Sequence, residues 1–338
     1  MKFYKDDQPS DMAGLITLSM RLVIGWTYFS AFWRRVVLED KLIPEEAGYI
    51  GEKFNHFLPN ALGIKPIIEY LVTHPEDLHL AMVVFTMVEA VVGLFLILGL
   101  FTRLSSIGVL GLAMGILLGS GWLGTTCLDE WQIGVLGVAG GFTLFLSGSG
   151  PGSLDHYFMK KGLPFTRTTW FCWLGSGTLP LKKFKVPVFI ASALILFLTL
   201  FTNQIFHGGV WGTLHNKSVK PKVEISDASL EKGSLHFRIY RTEGADVYGS
   251  FLIEIQLLNK AGEVVMKKNA AQLSSISAGE IRNHYVTKVK PGKHSLIIPL
   301  GAKADISIGL AGLPVSMDED YTLKLVDISG IEWVASVK

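Results

Sequence analysis

The sequence has little of what would make it a cross-linked, nucleic-acid-binding or ordinary soluble protein. Two cysteines, Cys127 and Cys172, are too few for a disulfide scaffold. Only 18% of the 338 residues are charged and the net charge is +2. There is no block of five or more like charges, which argues against nucleic acid as a partner. No cysteine pair or His-Glu-x-x-His arrangement is present for zinc, and no attachment motif for flavin or haem. Gly148-x-Gly150-x-Gly152 follows an apolar run rather than a strand, so it is not a dinucleotide fingerprint.

What is abundant is apolar surface: 49% of residues are hydrophobic, and the mean hydropathy is +0.39. Charge is sparse before Phe206 and frequent after Lys217, so two solvents are implied. A helix crossing a bilayer needs about 20 mostly apolar residues, because every amide must be bonded within the segment. Five stretches qualify, at 12–33, 80–101, 104–123, 131–146 and 186–206. Met1 to Asp11 is polar and no small-residue cleavage site follows the first run, which therefore reads as a retained span. Trp33, Trp122, Trp131 and Trp211 stand near span ends, where interfacial aromatics belong.

Lysine and arginine counts set the orientation. The segment between spans four and five carries Lys160, Lys161, Arg167, Lys182, Lys183 and Lys185, whereas the turn before span four, with Asp129 and Glu130, has none. The basic segment is thus cytoplasmic, the N-terminus is cytoplasmic and the C-terminal domain lies outside. The loop from Arg34 to Leu78, also outside, has five basic and eight acidic residues; its Arg34-Arg35 pair is the misfit. Glycines four apart, at Gly111, Gly115 and Gly119 and at Gly137 and Gly141, suit close helix packing in a four-helix bundle.

Beyond Trp211 the pattern becomes period-two alternation. Strands are expected at 222–225, 234–240, 249–257, 263–268, 281–288, 294–299, 305–310, 321–327 and 331–337, punctuated by turns such as Asn259 to Gly262 and Pro291-Gly292. The fold class is membrane α plus all-β: five transmembrane helices with a four-helix core, then an extracytoplasmic immunoglobulin-like sandwich without its disulfide. The division is 1–206 for the helical domain, 207–221 for a linker and 222–338 for the sandwich.

Arg21 and Glu89 are the only charges inside their spans, and an ionisable group there costs several kcal/mol unless paired or hydrated. In antiparallel helices the two come to similar depth, with Gly25 and Gly93 one turn along. They form either a structural clasp or a proton-accepting site beside a quinone. Arg34 and Arg35 offer rigid donor forks to an oxyanion, or else pair with Glu39, Asp40 or lipid headgroups. Cys127 is either a redox nucleophile or an inert packed thiol, and Asp129 and Glu130 oppose a lowered thiol pKa. The segment from His207 to Asn216 is unusual for a plain linker, since His207 and His215 can move protons and Trp211 lies between them.

The motifs Arg21-Leu22-Val23-Ile24-Gly25-Trp26, Glu89 to Gly93, Leu98-Gly99-Leu100-Phe101-Thr102-Arg103 and Ser153-Leu154-Asp155 resemble those of the DoxX-like membrane family, and more closely its DoxD branch fused to DoxA, the two subunits of thiosulfate:quinone oxidoreductase. The DoxA-like part is carried by Gly208-Gly209-Val210-Trp211-Gly212, Leu214-His215-Asn216 and Ser218-Val219-Lys220-Pro221. The usual Gly-x-x-Lys end of span one is Ala31-Phe32-Trp33-Arg34 here.

The resemblance implies oxidation of thiosulfate to tetrathionate at the outer face of the cytoplasmic membrane, with membrane quinone as electron acceptor and no metal, flavin or haem. On that reading Cys127, Glu89, His207 and His215 are catalytic. Arg34, Arg35 and Trp211 bind thiosulfate, and Arg21, Trp26 and Glu89 bind quinone. The partners are thiosulfate, quinone and the lipid bilayer, and a homo-oligomer is compatible with it. A transporter or channel for sulfur oxyanions, or a membrane-anchored binding or assembly protein, would use the same arginines without redox turnover.

Overall fold

The computed structural model describes residues 9–46, 48–124, 129–180, 183–231, 233–246, 249–313, 315–316 and 319–337. Cys127 and Lys182 lie outside them. The chain forms two compact units. One comprises Met1–Ile50, His79–Gly121 and Asp129–His215; the other comprises Gly51–Leu78, Trp122–Leu128 and Asn216–Lys338.

The first unit is helical, and its long helices coincide with the five apolar stretches. The first stretch is α1 (Pro9–Ile16) and α2 (Leu18–Phe32), separated by Thr17. The ladder continues across it from Thr17 N to Ala13 O and from Arg21 N to Thr17 O. A π-helical turn, Trp33–Leu38, extends α2. Among the described residues three helices are long and apolar enough to cross a membrane: α5 (Pro75–Leu98), α6 (Thr102–Ser120) and α10 (Lys185–His207). The remaining long helix, α7 (Asp129–Ser147), begins with Asp129 and Glu130. Phe189, Leu194 and Phe197 leave the apolar surface of α10 exposed, as for a helix solvated by lipid. Close packing of α7 on α6 uses Gly134, Gly137 and Gly141 against Leu117, Ala113 and Ser106. Gly111 and Gly115, expected at a helix interface, face open space. Spacing of four defines a face of a helix, but not the neighbour that face meets.

The second unit contains two wholly antiparallel sheets. Its strands are β1 (Lys222–Glu231), β2 (Ser234–Glu243), β3 (Ser250–Leu258), β4 (Val264–Lys268), β5 (Ile281–Asn283), β6 (Lys290–Pro291), β7 (Leu296–Ile298), β8 (Lys303–Gly309), β9 (Tyr321–Asp327) and β10 (Glu332–Val337). One sheet has the order β1-β2-β8-β5; the other is β10-β9-β3-β7-β6, with β4 also on β3. Their alternating apolar residues share one core, with Leu235, Phe237, Ile306 and Ile308 from the first sheet and Leu252, Ile255, Leu323 and Leu325 from the second. Each of the nine expected strands has a counterpart. The one expected over 281–288 stops at Asn283, because the following backbone is bonded elsewhere.

That difference exposes the main departure from a collinear division. The loop between the first two apolar stretches contributes α3 (Glu52–Phe57) and α4 (Lys65–Thr73) to the β-rich unit. Val286 N donates to Val72 O, and Thr287 N to Asn55 Oδ1. The Tyr285 hydroxyl donates to Glu69 Oε1 at 2.8 Å, and Asn55 Nδ2 to Gly301 O at 3.2 Å. Leu58, Ile68, Val72 and Tyr285 form a small core of their own. Trp122, expected at a membrane interface, is instead fully buried here, its indole N–H on Phe57 O. The protein interior desolvates that ring more completely than a lipid interface does.

His56, on α3, is buried near Lys53, Arg241 and Asp246. Burial first, then the two cations, push its pKa down to about 4, against the opposing pull of Asp246. The folded ring therefore stays neutral where the unfolded ring, with a pKa of about 6.5, takes up a proton. Stability from this group is complete above pH 6.5 and is lost as the pH falls from there toward 4, by about 3 kcal/mol in all. We expect His56→Gln to flatten that part of the pH profile of thermal unfolding; an unchanged slope in the folded variant would remove His56 as its cause.

Candidate functional site

Helices α2 and α5 run antiparallel and cross at Gly25 and Gly93. A Cβ at Gly93 would lie 2.4 Å from the Phe29 amide nitrogen, so only glycine allows this approach. The crossing fixes the register. Arg21, buried, meets the C-terminal turn of α5 and donates from Nη1 to Leu96 O at 3.0 Å and to Ile97 O at 3.4 Å. Leu96 O also accepts from Gly99 N at 3.0 Å in the turn that closes the helix, and a cation at this C-terminal end complements the helix dipole. Glu89 lies eight residues before Ile97, about 12 Å away along the axis at about 1.5 Å per residue. The structure does not bring Arg21 and Glu89 together as expected.

The partner of Glu89 is Arg35. Both oxygen and guanidinium are desolvated, with side-chain exposures of 4% for Glu89 and 20% for Arg35. Arg35 stands in the π-helical turn after α2, a form of helix frequent at functional sites. The guanidinium also lies 5.9 Å from the Phe85 ring centre, one turn before Glu89 on α5. Its charge is therefore balanced within the helices, which accounts for half of the Arg34-Arg35 misfit. Arg34 is exposed and donates from Nε to Ser30 O at 3.2 Å, with its terminal nitrogens open among the described residues. Glu39, a suggested partner, is paired with Lys41.

Thr86 completes this face of α5. It is fully buried, and its Oγ1 has no hydrogen-bond partner among the described residues. An unpaired buried hydroxyl is costly and marks a place where a bound polar atom would be stabilised. Trp26 is exposed and begins an aromatic run through Phe29 to Trp33, with ring centres 6.1 Å apart at both steps.

His207 ends α10 and is fully buried. Its Nε2 lies 3.0 Å from Gly121 O. A carbonyl can only accept, so Nε2 carries the proton and Nδ1, without a hydrogen-bond partner among the described residues, is the acceptor of the neutral ring. His215 returns to this helix end, its amide on His207 O at 2.9 Å. Trp211 is exposed at 68% on the intervening turn, which Gln204 holds through both of its amide atoms. Neither histidine is hydrogen-bonded to Arg34, Arg35 or Glu89 among the described residues. Also among them, no three His, Cys, Asp or Glu side chains converge as a metal site.

At the opposite ends of α5 and α6 lies a polar cluster not anticipated from sequence. Buried Asp155 accepts from Phe101 N, Thr102 N, Thr102 Oγ1 and Ser176 Oγ, capping the start of α6. Arg103 donates to Phe145 O, Cys172 O and Gly177 O. With Arg21 this cluster closes the helix ends. Arg21→Ala is expected to cost about 3 kcal/mol of stability by baring buried carbonyls. A thermal midpoint equal to wild type would overturn that role.

Residues 16–182 match the family model described as TQO small subunit DoxD, and residues 206–336 match TQO small subunit DoxA. The first match spans the helices that carry Arg21, Arg35, Glu89 and Asp155. The second begins at the end of α10 and takes in the β-strands.

Proposed function

The chain belongs to the DoxD and DoxA families of small subunits of thiosulfate:quinone oxidoreductase, joined here in one polypeptide, and from that premise we propose that it oxidises thiosulfate and reduces membrane quinone. Two thiosulfate ions each give up one electron and join through a new S–S bond to form tetrathionate. Quinone takes the two electrons and two protons. No metal, flavin or haem enters this scheme.

The observation that carries the reading is the Arg35–Glu89 pair, a buried carboxylate held by a guanidinium inside apolar helices. Intramembrane ionisable residues of this kind mark proton and substrate sites. Glu89 passes a proton to the reducing quinone while Arg35 balances its charge, and the Thr86 hydroxyl is available to a quinone carbonyl. Trp26 and Phe29 offer the ring apolar aromatic faces, tilted 41° to each other. Arg21 holds the two helices in register rather than touching substrate. Arg34 attracts the thiosulfate dianion; Trp211, His207, His215 and Cys127, the last outside the described residues, are the further candidates for the thiosulfate side of the reaction.

In this reading all five apolar stretches cross the cytoplasmic membrane, and the N-terminus faces the cytoplasm. The β unit, an immunoglobulin-like sandwich, lies on the periplasmic or extracellular side.

The test is thiosulfate-dependent reduction of a soluble quinone analogue by the purified full-length protein, with tetrathionate and quinol formed one to one. A folded preparation that makes no quinol defeats the proposal. Arg34→Ala should raise the KM for thiosulfate about tenfold or more with little change in kcat, the value of a charge-assisted contact made equally in ground and transition states. A loss confined to kcat would assign Arg34 to the chemistry instead.

A further inference from the structure

The helical unit carries a second recognition feature at the end away from Arg35. After α7 the chain forms α8 (Leu154–Lys160) and α9 (Thr169–Leu174) before entering α10. Between residues 148 and 185 the sequence has six lysines and arginines and a single acid, Asp155. Asp155 is buried and consumed by four donors, so the exposed charge of this segment is entirely positive.

The segment is also fastened down. Arg103, on α6, donates to Cys172 O and Gly177 O, which ties α9 and the following turn to the helix end, and to Phe145 O of α7. A ring cluster of Phe101, Phe158, Phe165 and Phe171 lies beneath it. What it turns outward is amphipathic: Tyr157, Trp170 and Trp173 are exposed beside Lys160, Lys161 and Arg167. Aromatic rings with basic side chains are the composition of a membrane–water boundary.

A groove of about 660 Å³ opens here. Ile97, Leu98 and Leu154 give it an apolar wall; His156, Tyr157 and Lys160 supply its polar side. His156 is 3.3 Å from Asp11, so Lys160 carries the charge of the lining, and Lys161, next to the lining rather than in it, is set over the Tyr157 ring at 5.7 Å.

We propose that this groove binds the headgroup and first acyl carbons of an anionic phospholipid. The apolar wall continues from α5, a helix apolar enough to span the bilayer, so an acyl chain can follow it into the membrane while Lys160 and Lys161 meet the phosphate. Free inorganic phosphate satisfies the lysines but leaves that wall in water. A zwitterionic lipid brings its own cation against them. Juxtamembrane basic clusters gain about 1 kcal/mol per lysine from an anionic leaflet.

The experiment uses the full chain in nanodiscs of phosphatidylglycerol and phosphatidylcholine, with retained lipid read by native mass spectrometry. We expect phosphatidylglycerol to be retained about tenfold over phosphatidylcholine. Lys160→Gln with Lys161→Gln should abolish the preference, and the paired arginine variants should keep it. Thiosulfate oxidation in detergent is expected to be unchanged in all of them. Equal retention of the two lipids, or a preference that survives the glutamine variants, overturns the proposal. So does displacement of the bound lipid by excess inorganic phosphate, which would identify a site for the free anion.

Discussion

Glu89→Gln is expected to reduce thiosulfate-dependent quinone reduction at least about 100-fold, the lower range for removal of a positioned proton donor or acceptor. The amide preserves the size of the side chain and can still accept a hydrogen bond from Arg35. It cannot carry the negative charge or exchange the proton, so kcat should fall much more than KM rises. The variant also leaves the half-buried Arg35 guanidinium beside a neutral group, at a cost of about 1–3 kcal/mol. Activity must therefore be read below the lowered unfolding midpoint. Arg35→Lys separates the two effects: the charge remains, the fork is lost, and partial activity with a smaller loss of stability should result. A folded Glu89→Gln protein that turns over at the wild-type rate would remove this pair from the chemistry and leave it as a clasp between α2 and α5.

Gly301→Val should have the largest effect on stability. Gly301 has φ +72° and accepts from Asn55 Nδ2, and a Cβ there would stand 1.8 Å from the Asn55 carbonyl oxygen. The left-handed backbone costs a β-branched residue about 1–2 kcal/mol, and the overlap with α3 adds about 1–3 kcal/mol. Gly262→Val isolates the first contribution, since Gly262 has φ +83° with nothing within 4 Å. Thermal unfolding and limited proteolysis of the full chain should show Gly301→Val as far the more damaged. Equal losses in the two variants would mean that α3 does not hold the β unit in the way the contacts indicate.

Both experiments turn on contacts that were only partly legible along the chain. Glu89 stood out because a carboxylate within an uninterrupted apolar run is expensive, whatever surrounds it. Its partner did not. Arg21 and Arg35 lie on either side of Gly25 along the same helical run, and counting residues from the ends of a span locates each end only to within about 2–4 residues. The contact of Gly25 with Gly93 removes that freedom: once those positions touch, Arg21 must fall at Leu96 and Ile97. Thr86 carried a fainter signal, its spacing of three from Glu89, which places both on one helical face.

In the β unit, alternation of apolar residues located the strands, because it depends only on a residue and its near neighbours. It overran at 284–288, where Tyr285 and Thr287 keep the alternating pattern but face α3 and α4 rather than a strand. Those two helices are short, six and nine residues, and their apolar residues, among them Ile68 and Val72, meet a partner far along the chain, Tyr285, which no local pattern announces.

Local periodicity and length thus determined the helical part, the strands and the presence of a costly buried carboxylate. Tertiary structure decided that Arg35 neutralises Glu89, that Arg21 caps a helix end, and that residues 51–78 belong with the strands. The physical reason is common to all three. Burial preferences are written residue by residue, whereas the identity of a buried group's partner depends on helix register and on long-range packing, which only the folded chain supplies.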